Sequence, residues 1–349
     1  MKAAWYLETG SIDVLQVGEV PTPDPMPGQV LVRLKSHGVN PTDWKRRAGQ
    51  RGPAPTQRMI PGYDGAGVIA ALGQGVDLSR LGERVWVWEA FHQQAGGTAA
   101  EFVCVDQSRA ITLPEAVDFE VGACLGVPAL TACHSLMLAG PLEGEAVIVT
   151  GAAGVVCNYA VQLAKIMGAR VLAVVRGEAE KEEDAHRAGA DLVINSERDD
   201  FLKAALDFTH GRGARCVVDV DLGAHLHIAS RITAVNGTIA SFGTASNPAP
   251  TLDWAAFMHR NIRLCGVGIF SVPESRKLEA VAFVQSCLAA GQLWHRIDSR
   301  WPHAAAPAYR SRRPTSPVPG HGLRPQSVRS EWLRVGPRNP VALRQPVGH

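Results

Sequence analysis

The sequence predicts an α/β fold in which a β-rich first section precedes a parallel sheet flanked by helices. Three observations carry that prediction. The first third consists of short β-type runs broken by glycine and proline. From Glu145 onward, apolar runs alternate with helical segments, and a glycine turn separates the first such run from the first such helix.

Taken in order, VGEVPTPDPMPGQVLVRLKSHGVN opens with a proline-studded turn. It then alternates Val30, Val32 and Leu34 with Arg33 and Lys35, the period of a half-buried strand. DGAGVIAALGQGV and GERVWVWEA repeat the pattern, their glycines marking turns and bulges. Near Pro114 the rhythm becomes helical in LPEAVDFEVGACLGVPALTACHSLML. EAVIVTGAAG then gives a buried strand and VVCNYAVQLAKIMG a helix; ARVLAVVR and EAEKEEDAHRAGA repeat the pair. DLVIN, FLKAALDFTHG, ARCVVDV, a further helix and GTIASFG continue it, as βαβ units of a parallel sheet do. RLCGVGIF adds a possible strand, and SRKLEAVAFVQSCLAAGQL an amphipathic helix. The expected division is 1–122 for the β-rich domain, 123–265 for the parallel-sheet domain and 266–302 for a segment returning to the first domain.

Length and composition fit this two-domain reading: 349 residues, 46% hydrophobic and 19% charged. The net charge of +2 hides an asymmetry. Residues 303–349 hold eight Arg and one Glu, or 8 − 1 = +7, which leaves 2 − 7 = −5 for the rest. That Pro/Arg-rich tail lacks a periodic apolar face and reads as disordered or as the product of a shifted reading frame. With only Tyr309 and Trp332 among its eight Arg it gives a weak nucleic-acid signal. The seven cysteines show neither CxxC nor zinc-like spacing and read as core thiols. No apolar run of about 18 residues offers a membrane span, and the first ten residues do not read as a signal peptide. A reducing cytoplasm is the expected compartment.

The turn VTGAAGVVCNYAVQLAK bears on chemistry. A strand ending at Val149 aims at Gly151, Ala152, Ala153 and Gly154, and the helix opening at Val155 and Val156 turns its first N–H groups to the same point. Such an arrangement holds a diphosphate without basic side chains, although a plain tight turn has the same letters. The βα units that follow favour a dinucleotide site. Cys157 stands where a further glycine would let helix and strand pack closely. An acid at the end of the second strand would hold the ribose hydroxyls of NAD; here the strand ends in Arg176, with Lys181 close behind. Cations there suit the 2′-phosphate of NADPH, while Glu178 and Glu180 also fit a solvated surface.

GVNPTDWKRRAG, PGYDGAGVIAALGQGV, VPALTA and the glycine turn, in that order, resemble the medium-chain dehydrogenase/reductase superfamily, and within it the zinc-free quinone oxidoreductases related to zeta-crystallin. The resemblance runs from residue 1 to about 302 and implies a GroES-like catalytic domain, a Rossmann domain, a cleft between them and usually a homodimer or homotetramer. Zinc enzymes of the superfamily carry Cys at the place of Asn40, His-Glu at Tyr63-Asp64 and a thiolate near Val127, so no metal is expected here. The same resemblance puts Asn40, Tyr63 and Asp64 in the catalytic cleft, and Thr131, Phe242, Gly243 and Phe270 near the cofactor. Each also has a plainer reading: Asn40 and Asp64 as turn residues, Tyr63 as packing, Thr131 as a hydroxyl bonding its own helix. The expected activity is NADPH-dependent hydride transfer to a quinone, without zinc. Reduction of an enal or enoyl C=C bond and non-catalytic NADPH binding are the alternatives.

Overall fold

The structure is a computed structural model that describes residues 1–297 and the backbone of two short strands, Ser299–Pro302 and Glu331–Arg334. The other residues of the Pro/Arg-rich tail, and with them the reading of that tail, lie outside the described residues.

The β-rich section contains β1 (Lys2–Trp5), β2 (Gln16–Glu19), β3 (Gln29–Val39), β4 (Asp64–Leu72), β5 (Arg84–Val87), β6 (Phe102–Asp106) and β7 (Ala110–Thr112). β3 pairs antiparallel with β4 and β6, and β4 continues through β5 to β7. Alternation along β3 buries Val30, Val32 and Leu34, as its sequence predicts. The 7-stranded sheet is extended at β3 by β14 (Ser299–Pro302) and β15 (Glu331–Arg334), the latter antiparallel to Ser36–Val39. A helix, α1 (Pro41–Arg47), follows β3 directly and has Pro at its start.

The second sheet has six parallel strands: β8 (Ala146–Thr150), β9 (Arg170–Val175), β10 (Leu192–Asn195), β11 (Ala214–Asp219), β12 (Thr233–Ser241) and β13 (Arg263–Gly266). Every residue of β8 is buried, as a strand covered on both faces requires. The helices are α2 (Phe119–Gly122), α3 (Gly126–Met137), α4 (Val155–Ile166), α5 (Ala179–Arg187), α6 (Phe201–Phe208), α7 (Leu222–Ile232), α8 (Trp254–His259) and α9 (Glu274–Ala289). Sheet order β10-β9-β8-β11-β12-β13 places successive units first to one side of β8 and then to the other. The reversal lies between β8 and β11, and crevices at such a reversal, outside the carboxyl ends of the strands, bind ligands.

α3 packs against β4 of the first sheet and against β11 and β12 of the second, and so spans both units. α9 joins them again by polar contacts. Lys277 meets Glu89, Glu274 meets Arg109, and Gln285 accepts from Trp86 Nε1 while donating to the Thr112 carbonyl. Beyond α9, Gln162 of α4 holds Trp294 by N–H and carbonyl, and Tyr159 meets His295 at 2.9 Å.

Candidate active site and cofactor crevice

The turn after β8 gathers the glycine-rich residues at the sheet reversal. Gly151 has φ +64°, left-handed backbone that a side chain would strain. Ala152 N–H donates to the Val174 carbonyl and Gly154 N–H to Gly151. Those two amides serve the turn itself. What the turn offers outward is the first turn of α4, with Val155 and Val156 half-buried. Gly154 is its N-cap and has no side chain to satisfy the helix's opening N–H groups. Cys157 is buried in the core between helix and sheet, and burial pushes its thiol far above the ordinary range. The residue standing for the missing glycine therefore faces packing, away from the open end of the helix.

Two neighbouring turns close the same crevice. Phe242 N–H donates to the Asp219 carbonyl, and Leu222 N–H to the Gly243 carbonyl. A Cβ on Gly243 would stand 2.3 Å from the Val220 carbonyl oxygen, so that approach needs glycine. Asp219, at the end of β11, accepts from Thr150 Oγ1 (3.1 Å) and from the Asp221 N–H (2.8 Å), and lies 2.7 Å from His225 Nδ1. This network ties the ends of β8 and β11 together at the reversal. Arg176 and Lys181 flank the end of β9: Arg176 is exposed and meets Glu197 at 2.9 Å, while Lys181 meets Glu178 at 2.7 Å and the Arg176 carbonyl at 3.0 Å.

At the start of α3, Asn40, Tyr63 and Asp64 do come together. Asn40 is the N-cap of α1, and its backbone N–H donates to Asp43 Oδ2 at 2.6 Å. Its side-chain amide donates to Asp64 Oδ2 at 2.8 Å, and the Val127 N–H donates to the same oxygen at 2.8 Å. Asp64 Oδ1 is buried with no hydrogen-bond partner among the described residues. Burial raises the Asp64 carboxyl to about 8, against the Val127 and Asn40 bonds that favour its charged form. Asp43 rises to about 7 for the same first cause, although it accepts from Asn40 and Gly62. Tyr63 is buried in an aromatic cluster, its ring 4.4 Å from Phe270 and 5.4 Å from Phe91, and its hydroxyl accepts from Arg46 at 3.2 Å. His92 stacks on Phe270. Thr131 donates to the Val127 carbonyl of its own helix at 2.6 Å, the plainer of its two readings.

The structure thus groups Asn40, Tyr63, Asp64 and Phe270 around Val127. It groups the 151–156 turn, Phe242 and Gly243 around Val220. Sequence reasoning passed over Asp43, Lys45, Arg46 and Phe91, and over the buried Lys277–Glu89 pair. The signal for the first set was present as WKRR, a dense run of cations one turn beyond Asn40.

Zinc would need thiolate or imidazole donors. Around Asn40 the structure supplies an amide, a phenol and a carboxyl already bonded to the amide, a poor donor set for that ion. Among the described residues no three His, Cys, Asp or Glu side chains converge elsewhere to hold a metal.

A β-rich domain and a parallel-sheet domain joined by α3 and α9, with an uncapped helix start at the sheet reversal, are the architecture of nucleotide-dependent dehydrogenases. Residues 26–115 match the alcohol dehydrogenase GroES-like domain family, and residues 156–286 the zinc-binding dehydrogenase family. A quinone oxidoreductase of Rattus norvegicus is 29% identical over 308 residues, 86% of this chain and 90% of the relative. An alcohol dehydrogenase of Geobacillus stearothermophilus is 35% identical over 233 residues, 60% of this chain and 68% of the relative. A mycobacterial protein solved in complex with NADPH superimposes with a TM-score of 0.78 at 27% identity, covering 96% of this chain and 100% of the other. The chain belongs to the medium-chain dehydrogenase/reductase superfamily of oxidoreductases. Among the described residues no helix is long and apolar enough to cross a membrane.

The buried carboxyls make a prediction about pH. Unfolded, Asp64 ionises near 3.9; folded, it holds its proton to about pH 8. Between those values the folded state binds more protons than the unfolded state. The stability this proton contributes is complete below the lower pKa and is lost as pH rises through the upper one. Asp64→Asn, which keeps the acceptor for Asn40 and Val127 without the charge, should already lead wild type near pH 5, by about 1 kcal/mol. At about pH 8 the lead should have grown by roughly 3 kcal/mol more. Urea denaturation at the two pH values measures this, and a variant uniformly weaker at both would count against it.

Proposed function

We propose that this chain is an NADPH-dependent reductase that passes hydride to a quinone or similar electrophilic acceptor without zinc. One observation carries the reading. The start of α4, uncapped at Gly154, faces the sheet reversal, with Arg176 and Lys181 just past the end of β9. A diphosphate suits the first-turn N–H groups and the positive end of the helix dipole. The 2′-phosphate falls to Arg176 and Lys181. Both are held by exposed carboxylates, and exposed ion pairs are worth about 0–1 kcal/mol, so a phosphate dianion displaces Glu197 and Glu178 readily.

Bound NADPH supplies the hydride, and the chain supplies position. Asn40, with one amide N–H fixed on Asp64, directs the other toward an acceptor carbonyl. Asp64 fixes the Asn40 amide and the start of α3 together, and so aligns the two halves of the cleft. Phe270, half-buried and stacked with His92 beside the buried Tyr63–Phe91 pair, gives an apolar face that excludes water and accepts a planar ring. An acceptor that is already electrophilic needs no Lewis acid. The similarity to the rat quinone oxidoreductase supports this acceptor class. The free cysteines of the described residues suit a cytoplasmic address, and the family resemblance a homodimer or homotetramer.

The test is oxidation of NADPH against NADH with a simple benzoquinone, in wild type and in Arg176→Ala. NADPH should be preferred, and the variant should lower that preference about tenfold, the worth of one charge-assisted phosphate bond. No turnover of either coenzyme with any quinone would end the proposal.

A further inference from the structure

The sequence from Trp44 to Tyr63 contains Lys45, Arg46, Arg47, Arg51 and Arg58 and no acid. It stands within residues 1–302, whose formal charge is −5 by the subtraction given above. Its first cations sit in the last turn of α1, the helix that begins at Asn40. Arg46 lies with its guanidinium 4.2 Å over the Phe91 ring, and its Nη1 donates both to the Tyr63 hydroxyl and to the Phe91 carbonyl. A guanidinium has five N–H donors. Nε and Nη2 have no protein acceptor among the described residues, and the side chain is only half-buried. No carboxylate comes within ion-pair distance of Lys45, Arg46 or Arg51 there.

Such crowding is unfavourable for the protein alone. Desolvation, and then the like charge of Arg51, pull the Lys45 ammonium below its ordinary range. The two nearby acids offer little relief, because burial pushes Asp43 and Asp64 toward their neutral forms. Uncompensated cations at the edge of a cleft raise the local concentration of anions and speed their capture.

We infer that the acceptor is an anion: its ring lies against the half-buried Phe270 and His92, and its carboxylate, sulfonate or phosphate is received by Arg46, Lys45 and Arg51. The inference rests on the reductase reading above and sharpens its substrate class. Arg46 links the two parts of the site, since Nη1 holds Tyr63 and the Phe91 carbonyl while Nε and Nη2 keep their donors for an anion. A planar fork of that kind recognises oxyanions by paired hydrogen bonds.

The experiment compares 1,4-naphthoquinone-2-sulfonate with 1,4-naphthoquinone as acceptors for NADPH, at about 20 mM and about 300 mM salt. Wild type should favour the sulfonate by about tenfold or more in kcat/KM at low salt, and lose most of that preference at high salt. Lys45→Ala/Arg51→Ala should cut the preference about tenfold, and Arg46→Gln should do so as well. The double variant leaves the Arg46–Tyr63 contact alone, so the test survives if Arg46→Gln fails to fold. Calorimetry with 2-naphthalenesulfonate and 2-naphthol gives a readout independent of turnover. If no quinone is reduced but 2-naphthalenesulfonate binds and the double variant releases it, the anion site stands and the reductase reading fails. Equal, salt-insensitive use of both quinones overturns the inference. So does a double variant that loses NADPH affinity while keeping its acceptor preference, because the cations would then serve the coenzyme's phosphates.

Discussion

Gly154→Asp is expected to weaken NADPH binding by about two orders of magnitude while leaving the fold as stable as before or slightly more so. Gly154 caps α4 at φ −74° and ψ 151°, extended backbone that any residue adopts. An added Cβ would meet only the Gly151 carbonyl oxygen, at 3.2 Å, a contact relieved by a few tenths of an ångström. Aspartate is also among the best N-caps, worth about a few tenths of a kcal/mol over glycine. Its carboxylate would accept from the first-turn N–H groups that a diphosphate needs, and would repel that diphosphate as well. Gly154→Ser separates the two effects, because serine caps without charge and should cost binding less. NADPH fluorescence titration beside thermal denaturation reads both quantities. Undiminished affinity in a folded Gly154→Asp protein would remove the α4 terminus from the cofactor site.

That prediction was open to a reader of the sequence alone, because its parts are local. A strand, a turn and a helix start are adjacent in the chain, and their apolar periods and small residues announce them. Cys157 shows the limit of the same reasoning. The letter at the third glycine position left open whether a thiol would crowd the phosphate or the sheet, and only helix phase, with Cys157 buried among core residues, decides for the sheet. The cleft was less legible. Asn40 and Asp64 are 24 residues apart and meet through antiparallel pairing of β3 and β4, so their bond depends on register. Phe270 reaches Tyr63 from the segment beyond β13, far away in the chain. Nothing local in either stretch announces their partnership. Thr131 was ambiguous for another reason: a helical hydroxyl bonds the carbonyl four residues before it whenever no better partner competes.

The ion pair between Lys277 and Glu89 had no sequence signature at all, since 188 residues separate its members, and it carries the largest expected effect on stability. Lys277 Nζ lies 2.7 Å from Glu89 Oε1 and 2.9 Å from Oε2, with side-chain exposures of 4% and 3%. Arg109, stacked on Trp88, approaches the same carboxylate at 3.3 Å. Removing one partner of a buried pair strands the other charge, at a cost of about 3–5 kcal/mol. Lys277→Ala should fall toward the lower end of that range, because Arg109 keeps part of the compensation. Burial already raises the Glu89 carboxyl, and the Lys277 hydrogen bond is the first force opposing it. Without Lys277 the folded-state pKa climbs further above the unfolded value. The variant's loss should therefore be small at acid pH and grow as pH rises toward 8. Glu89→Gln/Lys277→Met removes both charges and should recover a large part of the deficit, with little pH dependence. Because Lys277 also donates to the Phe270 carbonyl at 3.4 Å, Lys277→Ala should loosen the aromatic wall and raise KM for the acceptor more than for NADPH. Chemical denaturation of the three proteins at acid and alkaline pH decides the matter. A single variant as stable as wild type at pH 8 would mean that the latch between α9 and the β-rich domain is held by packing, with its charges incidental.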